Sequence, residues 1–261
     1  MHEHEISTMM RTDIKTPVRN RYFYGKLLDT YHFELETNYM NSKRWLLNRL
    51  ISGYGVVCGL DVCPVPDGEG IEITPGVAID RWGREIIVSR KTAPMPIPMP
   101  MNDGAATAMQ GQHEHDHEEE EFVHLLICYH ECESDPAPVL AGDCPSPEPC
   151  AAGAIRERYK FLWRSGCAPD LSIKMDIPDV IKNGKIDHPA LVRFVCEAGC
   201  TNLPEDPCIP LANVRVVSDP EHKCGPEDID VTIRPIVYTN HLLFQLLLSM
   251  LYESSPRYPR K

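Results

Sequence analysis

Four short segments rich in branched apolar residues follow one another between residues 57 and 89, and no other feature constrains the fold as strongly. Turn-forming pairs separate them: Asp67-Gly68, Pro75-Gly76 and Trp82-Gly83. Short apolar runs punctuated by such pairs are typical of antiparallel strands joined by tight turns. The pattern therefore predicts a small antiparallel meander, with strands over residues 57–63, 71–73, 77–79 and 85–89.

A long helix is predicted before the meander. Asp29 is a favourable N-cap residue, and Gly53 is a favourable stop after a helix that runs to about Ser52. Apolar residues fall at helical spacing along one stripe: Phe33, Met40, Leu47 and Ile51, with Leu46 and Leu50 beside it. Most charged residues lie off the stripe, so the pattern predicts a helix that buries one face and exposes the other.

The second half of the chain contains further strand-like and helical segments. Strands are predicted over residues 122–130, 155–163, 209–217 and 229–235, and a short helix over residues 187–196. A final apolar helix, capped by Thr239 or Asn240, ends near Tyr252. Because the strands succeed one another instead of alternating with helices, the predicted fold class is α+β, with a long N-terminal helix, an antiparallel β-rich body and a C-terminal helix.

The segments between these elements indicate four regions. Residues 1–18 are expected to form a flexible arm, and residues 19–92 the N-terminal helix with its meander. Residues 93–121 have the composition of a linker and loop, first Pro-rich and then acidic, and residues 122–261 that of a β-rich domain with the C-terminal helix. Histidine alternates with acidic residues at 113–117; a solvated loop is the default interpretation there, and weak binding of a transition metal is the alternative.

Charge and hydropathy exclude some classes of function. The chain carries a net charge of −12 over 261 residues, and an acidic chain is a poor ligand for nucleic acid because phosphate contacts require Lys and Arg. No apolar run approaches the roughly 20 residues that span a bilayer. The acidic start Met1-His2-Glu3 does not resemble a secretory signal. We therefore expect no nucleic-acid binding, no direct membrane insertion, and synthesis in the cytoplasm.

Eleven cysteines leave a choice between free thiols and metal ligands. Without a secretory signal, disulfides are the weaker interpretation, and buried or free thiols are favoured because no Cys-x₂-Cys pair occurs. If the chain holds a structural zinc, the first set of ligands is Cys132, Cys144 and Cys150, which bracket a Pro-rich segment with few apolar residues. The second set is Cys196, Cys200 and Cys208, with a fourth ligand from Cys128, Cys167 or His130.

The segment 19–28 is dense in arginine and aromatic residues but contains no arrangement that could perform a reaction. Arginine interleaved with tyrosine occurs in nucleic-acid-binding segments and equally at the energetic hot spots of protein interfaces. The acidity of the chain favours a protein partner, and packing of the aromatic residues on the first helix is the alternative. The residues predicted to contact a partner are Arg19, Arg21, Tyr22, Tyr24, Arg44 and Arg49.

Several motifs in the first ninety residues give the chain a family resemblance. They are Arg-Asn-Arg-Tyr-Phe-Tyr-Gly-Lys-Leu-Leu at 19–28, Lys-Arg at 43–44, Asn-Arg at 48–49, Gly-Val-Val-Cys-Gly-Leu at 55–60, and the hairpin halves Pro-Gly-x-Ala-Ile-Asp at 75–80 and Gly-Arg-Glu-Ile at 83–86. The chain resembles a family of bacterial proteins whose genes accompany phage-tail-like contractile injection systems. The resemblance implies a structural part in such a particle, its other subunits as partners, a multimeric state within the assembly, and release with an extracellular particle.

No familiar catalytic motif is present. The chain lacks Gly-x-Ser-x-Gly, His-Glu-x-x-His, a phosphate-binding loop and a dinucleotide-binding fingerprint. We therefore predict that it is not an enzyme but a structural or accessory subunit of a contractile injection particle (cap, adaptor or baseplate-associated), acting by protein–protein docking. A cysteine-rich metal-binding domain with a role in metal handling or sensing is the alternative from another class, and a hydrolase with an unrecognised site is a third.

Overall fold

The computed structural model describes residues 16–66, 70–99, 121–138, 150–169, 181–182, 185–198, 203–217 and 222–253. The predictions for residues 1–15 and 100–120 fall outside these ranges. The chain divides into two compact units, one of Met1–Lys43 with Asp170–Pro207 and the other of Arg44–Pro169 with Cys208–Lys261. We call them the helical unit and the sheet unit and describe each by itself.

The described helices are α1 (Thr30–Leu47), α2 (His188–Ala198) and α3 (Asn240–Glu253). A π-helical turn (Asn48–Ser52) continues α1, and a 3₁₀ turn (Pro226–Asp228) precedes the last strand. The described strands are β1 (Gly55–Gly59), β2 (Val62–Pro64), β3 (Ile71–Ile73), β4 (Gly76–Ile79), β5 (Glu85–Val88), β6 (Glu121–Pro138), β7 (Cys150–Ser165), β8 (Ile181–Lys182), β9 (Lys185–Ile186), β10 (Ile209–Val216) and β11 (Ile229–Asp230). None of the described helices is both long enough and apolar enough to cross a membrane.

Two antiparallel sheets dominate the sheet unit. One has the strand order β1-β4-β5 and the other the order β11-β10-β6-β7. Apolar side chains from both sheets form one buried cluster. Its largest fully buried members are Leu60, Ile71, Ile73, Ile86, Leu125, Ile127, Ile209 and Leu211. Branched residues at a period of two place one face of each sheet in this cluster, and the predicted α+β class with N- and C-terminal helices is confirmed.

The end of α1 is anchored on the turn between β4 and β5. Trp45 is buried, and a Cβ atom on Gly83 would lie 2.0 Å from the Trp45 carbonyl oxygen, so the two backbones are in direct contact. The Asn48 side chain donates hydrogen bonds to the Gly83 carbonyl oxygen (2.9 Å) and to Glu85 Oε1 (2.8 Å). Arg44 Nε pairs with the same Glu85 oxygen at 3.0 Å. Several residues that carry the family resemblance therefore build this junction.

Asp80 closes the same turn although its side chain is fully buried. Its carboxylate accepts hydrogen bonds from the Trp82 and Arg84 amides (both 2.9 Å) and from Arg84 Nε (2.7 Å). The Arg84 guanidinium also lies over the rings of Trp82 and Tyr129, at 4.5 and 4.6 Å from the centroids, where cation–π attraction operates. Burial raises the pKa of the Asp80 carboxyl, although Arg84 opposes this effect. The buried carboxyl group is thus paired and hydrogen-bonded, as burial of such a group requires.

Several predicted strands have different bounds in the structure. The strand predicted over residues 229–235 is observed only at Ile229–Asp230. The segment 57–63 is broken at Gly59 and Leu60, whose φ angles are +63° and +58°, so that β1 ends there and β2 begins separately. The strand predicted over residues 122–130 continues to Pro138, although residues 131–138 contain Pro and Asp. They pair in antiparallel register with residues 150–157 of β7, because the ladder hydrogen bonds come from a strand distant in sequence.

Cys128 and Cys208 form a disulfide between β6 and the residue that precedes β10. Ile209 pairs with Ile127 across the ladder, so the adjacent cysteines lie opposite each other. Both are buried, and Leu126 packs with them. The interpretation of the cysteines as thiols or metal ligands is therefore wrong for this pair, because the strand register brings together two residues 80 positions apart.

The described part of the Pro-rich segment lies beside β3 in the sheet unit. Met95 and Ile71 exchange both backbone hydrogen bonds, at 2.8 and 2.9 Å. Met95 and Ile97 also pack against the core cluster. Because proline occupies only alternate positions here, residues such as Met95 keep an N–H group that can pair. The domain boundaries themselves stay a prediction.

A second buried carboxylate, Asp228, fixes the 3₁₀ turn before β11. It accepts hydrogen bonds from Arg215 Nε and the Gly225 amide, both at 2.9 Å, and lies 3.0 Å from His222 Nε2. Burial is the largest single influence on its pKa and raises it, but these contacts together outweigh burial and hold the pKa below its usual range. Asp228 therefore stabilises the fold in its ionised form.

Acid is expected to remove this contribution. A carboxyl whose pKa is lower in the folded chain stabilises the fold above its unfolded pKa of about 4, and the stabilisation is lost as pH falls through the folded pKa. The Asp228→Asn variant should be less stable than the wild type at neutral pH and should lose less stability on acidification. Thermal melts between about pH 7 and pH 3 measure both effects. Parallel pH profiles of the two proteins would contradict this role of Asp228.

Candidate docking surface

In the helical unit, residues 19–28 form a turn that is held to α1. Gly25 has a φ angle of +81°, and the Lys26 amide donates a hydrogen bond to the Phe23 carbonyl oxygen (3.1 Å). The Tyr22 hydroxyl donates a hydrogen bond to the Glu36 carboxylate on α1, and this contact raises the pKa of Tyr22. The segment is therefore ordered by its own turn and by one side-chain contact with the helix.

The aromatic and apolar side chains of this turn are open to solvent. Tyr24 is fully exposed, Leu27 is 86% exposed, and Phe23 and Tyr22 are 62% and 54% exposed. A turn that buried these rings against the first helix would leave much smaller fractions exposed. Packing of the aromatic residues on that helix therefore leaves more than half of each of these side chains exposed.

The apolar stripe of α1 is also exposed, contrary to the prediction that it is buried. Phe33 and Met40 are 58% and 63% exposed in the helical unit, and Leu47 and Ile51 are exposed farther along the stripe. Trp45 is the buried residue of α1 among those described. Apolar spacing shows that a helix has an apolar face, but it does not show that another part of the same chain covers that face.

We define the docking surface as the aromatic and apolar residues between positions 19 and 40 that are more than half exposed. They are Tyr22, Phe23, Tyr24, Leu27, Tyr31, Phe33 and Met40. Sequence reasoning missed Phe33 and Met40 as surface residues, because it assigned the stripe to the core. The signal that could have found them is the continuity of the apolar stripe with the aromatic segment that precedes it.

The structure separates the predicted partner-binding arginines into two groups. Arg19 and Arg21 are exposed and belong to the same segment as Tyr22 and Tyr24. Arg44 instead pairs with Glu85 at the end of α1, and Arg49 is half-buried in the π-helical turn. Arg44 thus has a structural partner within the chain. Contact of any of these residues with another protein stays a prediction.

The structure does not bring together the two described members of the first predicted zinc site. Cys132 lies opposite Arg156, and Cys150 lies opposite Pro138, six residues farther along β6. This separation corresponds to roughly 20 Å along a strand, whereas a zinc–sulfur bond is about 2.3 Å long. The third member, Cys144, lies outside the described residues. A structural zinc stays an untested prediction.

One ligand of the second predicted zinc site takes part in the disulfide instead. Cys208 is bonded to Cys128, so neither sulfur can serve as the thiolate that zinc requires. Cys196 is exposed on α2, and Cys200 falls outside the described ranges. Over the part of the chain that the structure describes, no group of three or more His, Cys, Asp or Glu residues is placed to hold a metal ion.

Comparison with known proteins gives a likeness only to solved structures, and it is distant. No protein-family model matches the sequence, and no curated protein matches it. Among solved structures, the crystal structure of TssK is similar with a TM-score of 0.41 and 13% sequence identity, over 94% of this chain and 51% of that chain. This chain thus spans about half the length of the TssK chain. A likeness at this TM-score supports no conclusion about the function of this chain.

Proposed function

We propose that this chain is a non-enzymatic structural or accessory subunit of a phage-tail-like contractile injection particle, and that it acts by docking on other subunits. The sequence motifs at 19–28, 43–49, 55–60 and 75–86 support this kind of particle through the family resemblance. Three kinds of component fit such a role: a cap, an adaptor and a baseplate-associated subunit. The observation that carries the docking role is the exposed docking surface.

The composition and exposure of this surface are those of an interface. Soluble monomers rarely leave large contiguous apolar patches open to water, and such patches mark interaction sites. Tyrosine and arginine are also the residue types that dominate interface energetics. Tyr22 and Tyr24 stand beside Arg19 and Arg21 in sequence, and all four are exposed. Burial of this segment by another subunit would remove its apolar area from water.

The segment is organised before any partner binds. The Tyr22–Glu36 hydrogen bond and the turn at Gly25 hold residues 19–28 in one conformation. A partner therefore meets a formed surface, and less conformational entropy is lost on docking. The arginines add positive charge to a chain whose net charge is −12, so an acidic surface on the partner is favoured.

The C-terminal helix exposes a second set of apolar side chains, in the sheet unit. α3 is capped as predicted, because Thr239 Oγ1 accepts a hydrogen bond from the Leu242 amide at 3.2 Å. Its exposed apolar residues are Leu243, Phe244, Leu246, Leu247, Leu248 and Met250. Two exposed apolar surfaces in one chain support a subunit that has more than one neighbour in an assembly.

The Arg19→Ala/Arg21→Ala double variant tests the docking role. Truncation of hot-spot arginines typically costs more than about 1 kcal/mol each, so incorporation into particles should fall by about tenfold or more. Both side chains are exposed, and the isolated fold should therefore be unchanged. Quantitative mass spectrometry of particles purified from the native host measures the amount of this chain relative to the sheath protein.

A matched control is Arg90→Ala/Arg193→Ala, which also removes two exposed arginines and changes the net charge equally. This control should be incorporated at the wild-type level. Normal incorporation of a well-folded Arg19→Ala/Arg21→Ala variant would contradict the proposal that residues 19–28 dock on another subunit.

A further inference from the structure

The strands β6 and β7 continue as a two-stranded ribbon beyond the sheet that β10 shares. β10 pairs with β6 only over residues 121–127, whereas β6 and β7 remain paired as far as Pro138 and Cys150. We define the ribbon as residues 130–138 and 150–158, a span of roughly 30 Å. None of its residues is buried. Both faces of the ribbon are therefore accessible.

Alternation along the strands gives the two faces of the ribbon opposite charges. Residues that are paired across an antiparallel ladder share a face, and successive residues alternate between faces. One face, the basic face, carries His130, Arg156 and Arg158, and Lys160 continues the same row at the base of the ribbon. The other, the acidic face, carries Glu131, Glu133 and Glu157. Asp135 is not counted in this row, because its φ angle is +54° and its carboxylate pairs with Arg156.

On the acidic face, like charges meet directly across the ladder. Glu131 lies directly opposite Glu157. Like charges at directly opposed positions destabilise a sheet. The Tyr129 hydroxyl donates a hydrogen bond to Glu131 (2.8 Å), but no basic side chain shares the acidic face among the described residues of the ribbon. An external surface of opposite charge would relieve this repulsion.

The two faces are complements of each other in spacing as well as in sign. Arg158 and Lys160 are two residues apart on β7, and Glu131 and Glu133 are two residues apart on β6. Both repeats equal about 6.7 Å, because both belong to extended strands. A second copy of this chain therefore presents a matching acidic row to the basic face and a matching basic row to the acidic face.

We propose that the ribbon mediates contact between copies of this chain, with the basic face of one ribbon lying on the acidic face of the next. The contact is heterologous, because two different faces meet, so it generates a ring or an open stack of copies and not a closed two-fold dimer. The inference does not rest on the proposed role of the docking surface, whose residues lie elsewhere in the chain.

The strength of this contact is set by exposed ion pairs. Arg156 already pairs with Asp135, at 2.9 Å, so Arg158 and Lys160 supply most of the available positive charge. Exposed pairs contribute about 0.2–1 kcal/mol each and are screened by salt. Contact through the ribbon is therefore weak at physiological salt and strengthens as the salt concentration is lowered.

Sedimentation of the full chain with charge-reversed variants tests the proposal. Arg158→Glu/Lys160→Glu makes both faces acidic, and Glu133→Lys/Glu157→Lys makes both faces basic while it leaves Glu131 to accept the Tyr129 hydrogen bond. The wild type should self-associate at about 20 mM salt and dissociate at about 500 mM salt. Each variant alone should stay monomeric in both conditions, because its faces repel each other.

An equimolar mixture of the two variants provides the decisive measurement. In the mixture, every basic face can meet an acidic face of the other variant, so association at low salt should return. Thermal melts confirm that both variants fold. A monomeric wild type at low salt, self-association of either variant alone, or failure of the mixture to associate would each overturn the proposal.

Discussion

Replacement of Gly83 by alanine is expected to destabilise the sheet unit by about 3 kcal/mol or more. The φ angle of Gly83 is +90°, a region in which an L-residue is strained, and an added Cβ atom would lie 2.0 Å from the Trp45 carbonyl oxygen. Because that oxygen belongs to the backbone of α1, relief of the clash requires the helix to move away from the turn. We expect a fall of about 10 °C in the melting temperature, measured by circular dichroism.

Gly25→Ala is the matched control for the steric part of this effect. Gly25 also has a positive φ angle, +81°, but a Cβ atom there would meet no heavy atom within 4 Å. Only the backbone strain of about 1–2 kcal/mol then applies. Equal destabilisation by the two substitutions would show that the close approach of α1 to the β4–β5 turn contributes nothing.

Removal of the Cys128–Cys208 disulfide is expected to lower the free energy of unfolding by about 2–4 kcal/mol. The cross-link joins residues 80 positions apart, so it restricts the unfolded chain strongly in the loop-entropy account. The Cys128→Ala/Cys208→Ala variant should therefore melt well below the oxidised wild type. Denaturant unfolding with and without reductant measures the difference.

Two comparisons isolate the contribution of this disulfide. Reductant should lower the stability of the wild type and leave that of Cys128→Ala/Cys208→Ala unchanged. Cys132→Ser, which alters a half-exposed free thiol on the same strand, should change stability by less than about 0.5 kcal/mol. An oxidised wild type that unfolds like the double variant would contradict the stabilising role of the cross-link.

The sequence predicted most of the local helices and strands correctly. It did not predict the features that depend on pairing between residues far apart in the sequence. The apolar run at residues 122–130 and the strand-like segment at residues 155–163 correctly predicted two strands. The continuation of β6 over residues 131–138 was not predicted, because Pro and Asp are uncommon in strands. The groups that stabilise this continuation belong to β7, which is distant in sequence. The disulfide was missed for the same reason, since only the register of β10 on β6 places Cys208 opposite Cys128.

The docking surface was also predicted only in part from the sequence. Apolar spacing predicted an apolar face on α1, and composition singled out residues 19–28 as a docking element. Neither signal could say that Phe33 and Met40 stay exposed, because exposure depends on what the rest of the chain covers. For Arg44, proximity in sequence to a charged helix face suggested a partner contact, whereas the fold gives it Glu85 as a neighbour.

An electron cryo-microscopy map of the assembled injection particle tests the docking role most directly. We expect the chain to be present in the particle, with Tyr24, Phe33 and Met40 covered by a neighbouring subunit and with Arg19 and Arg21 facing acidic side chains. A particle that contains the chain with these residues facing solvent, or a complete particle that lacks the chain, would contradict the proposed function.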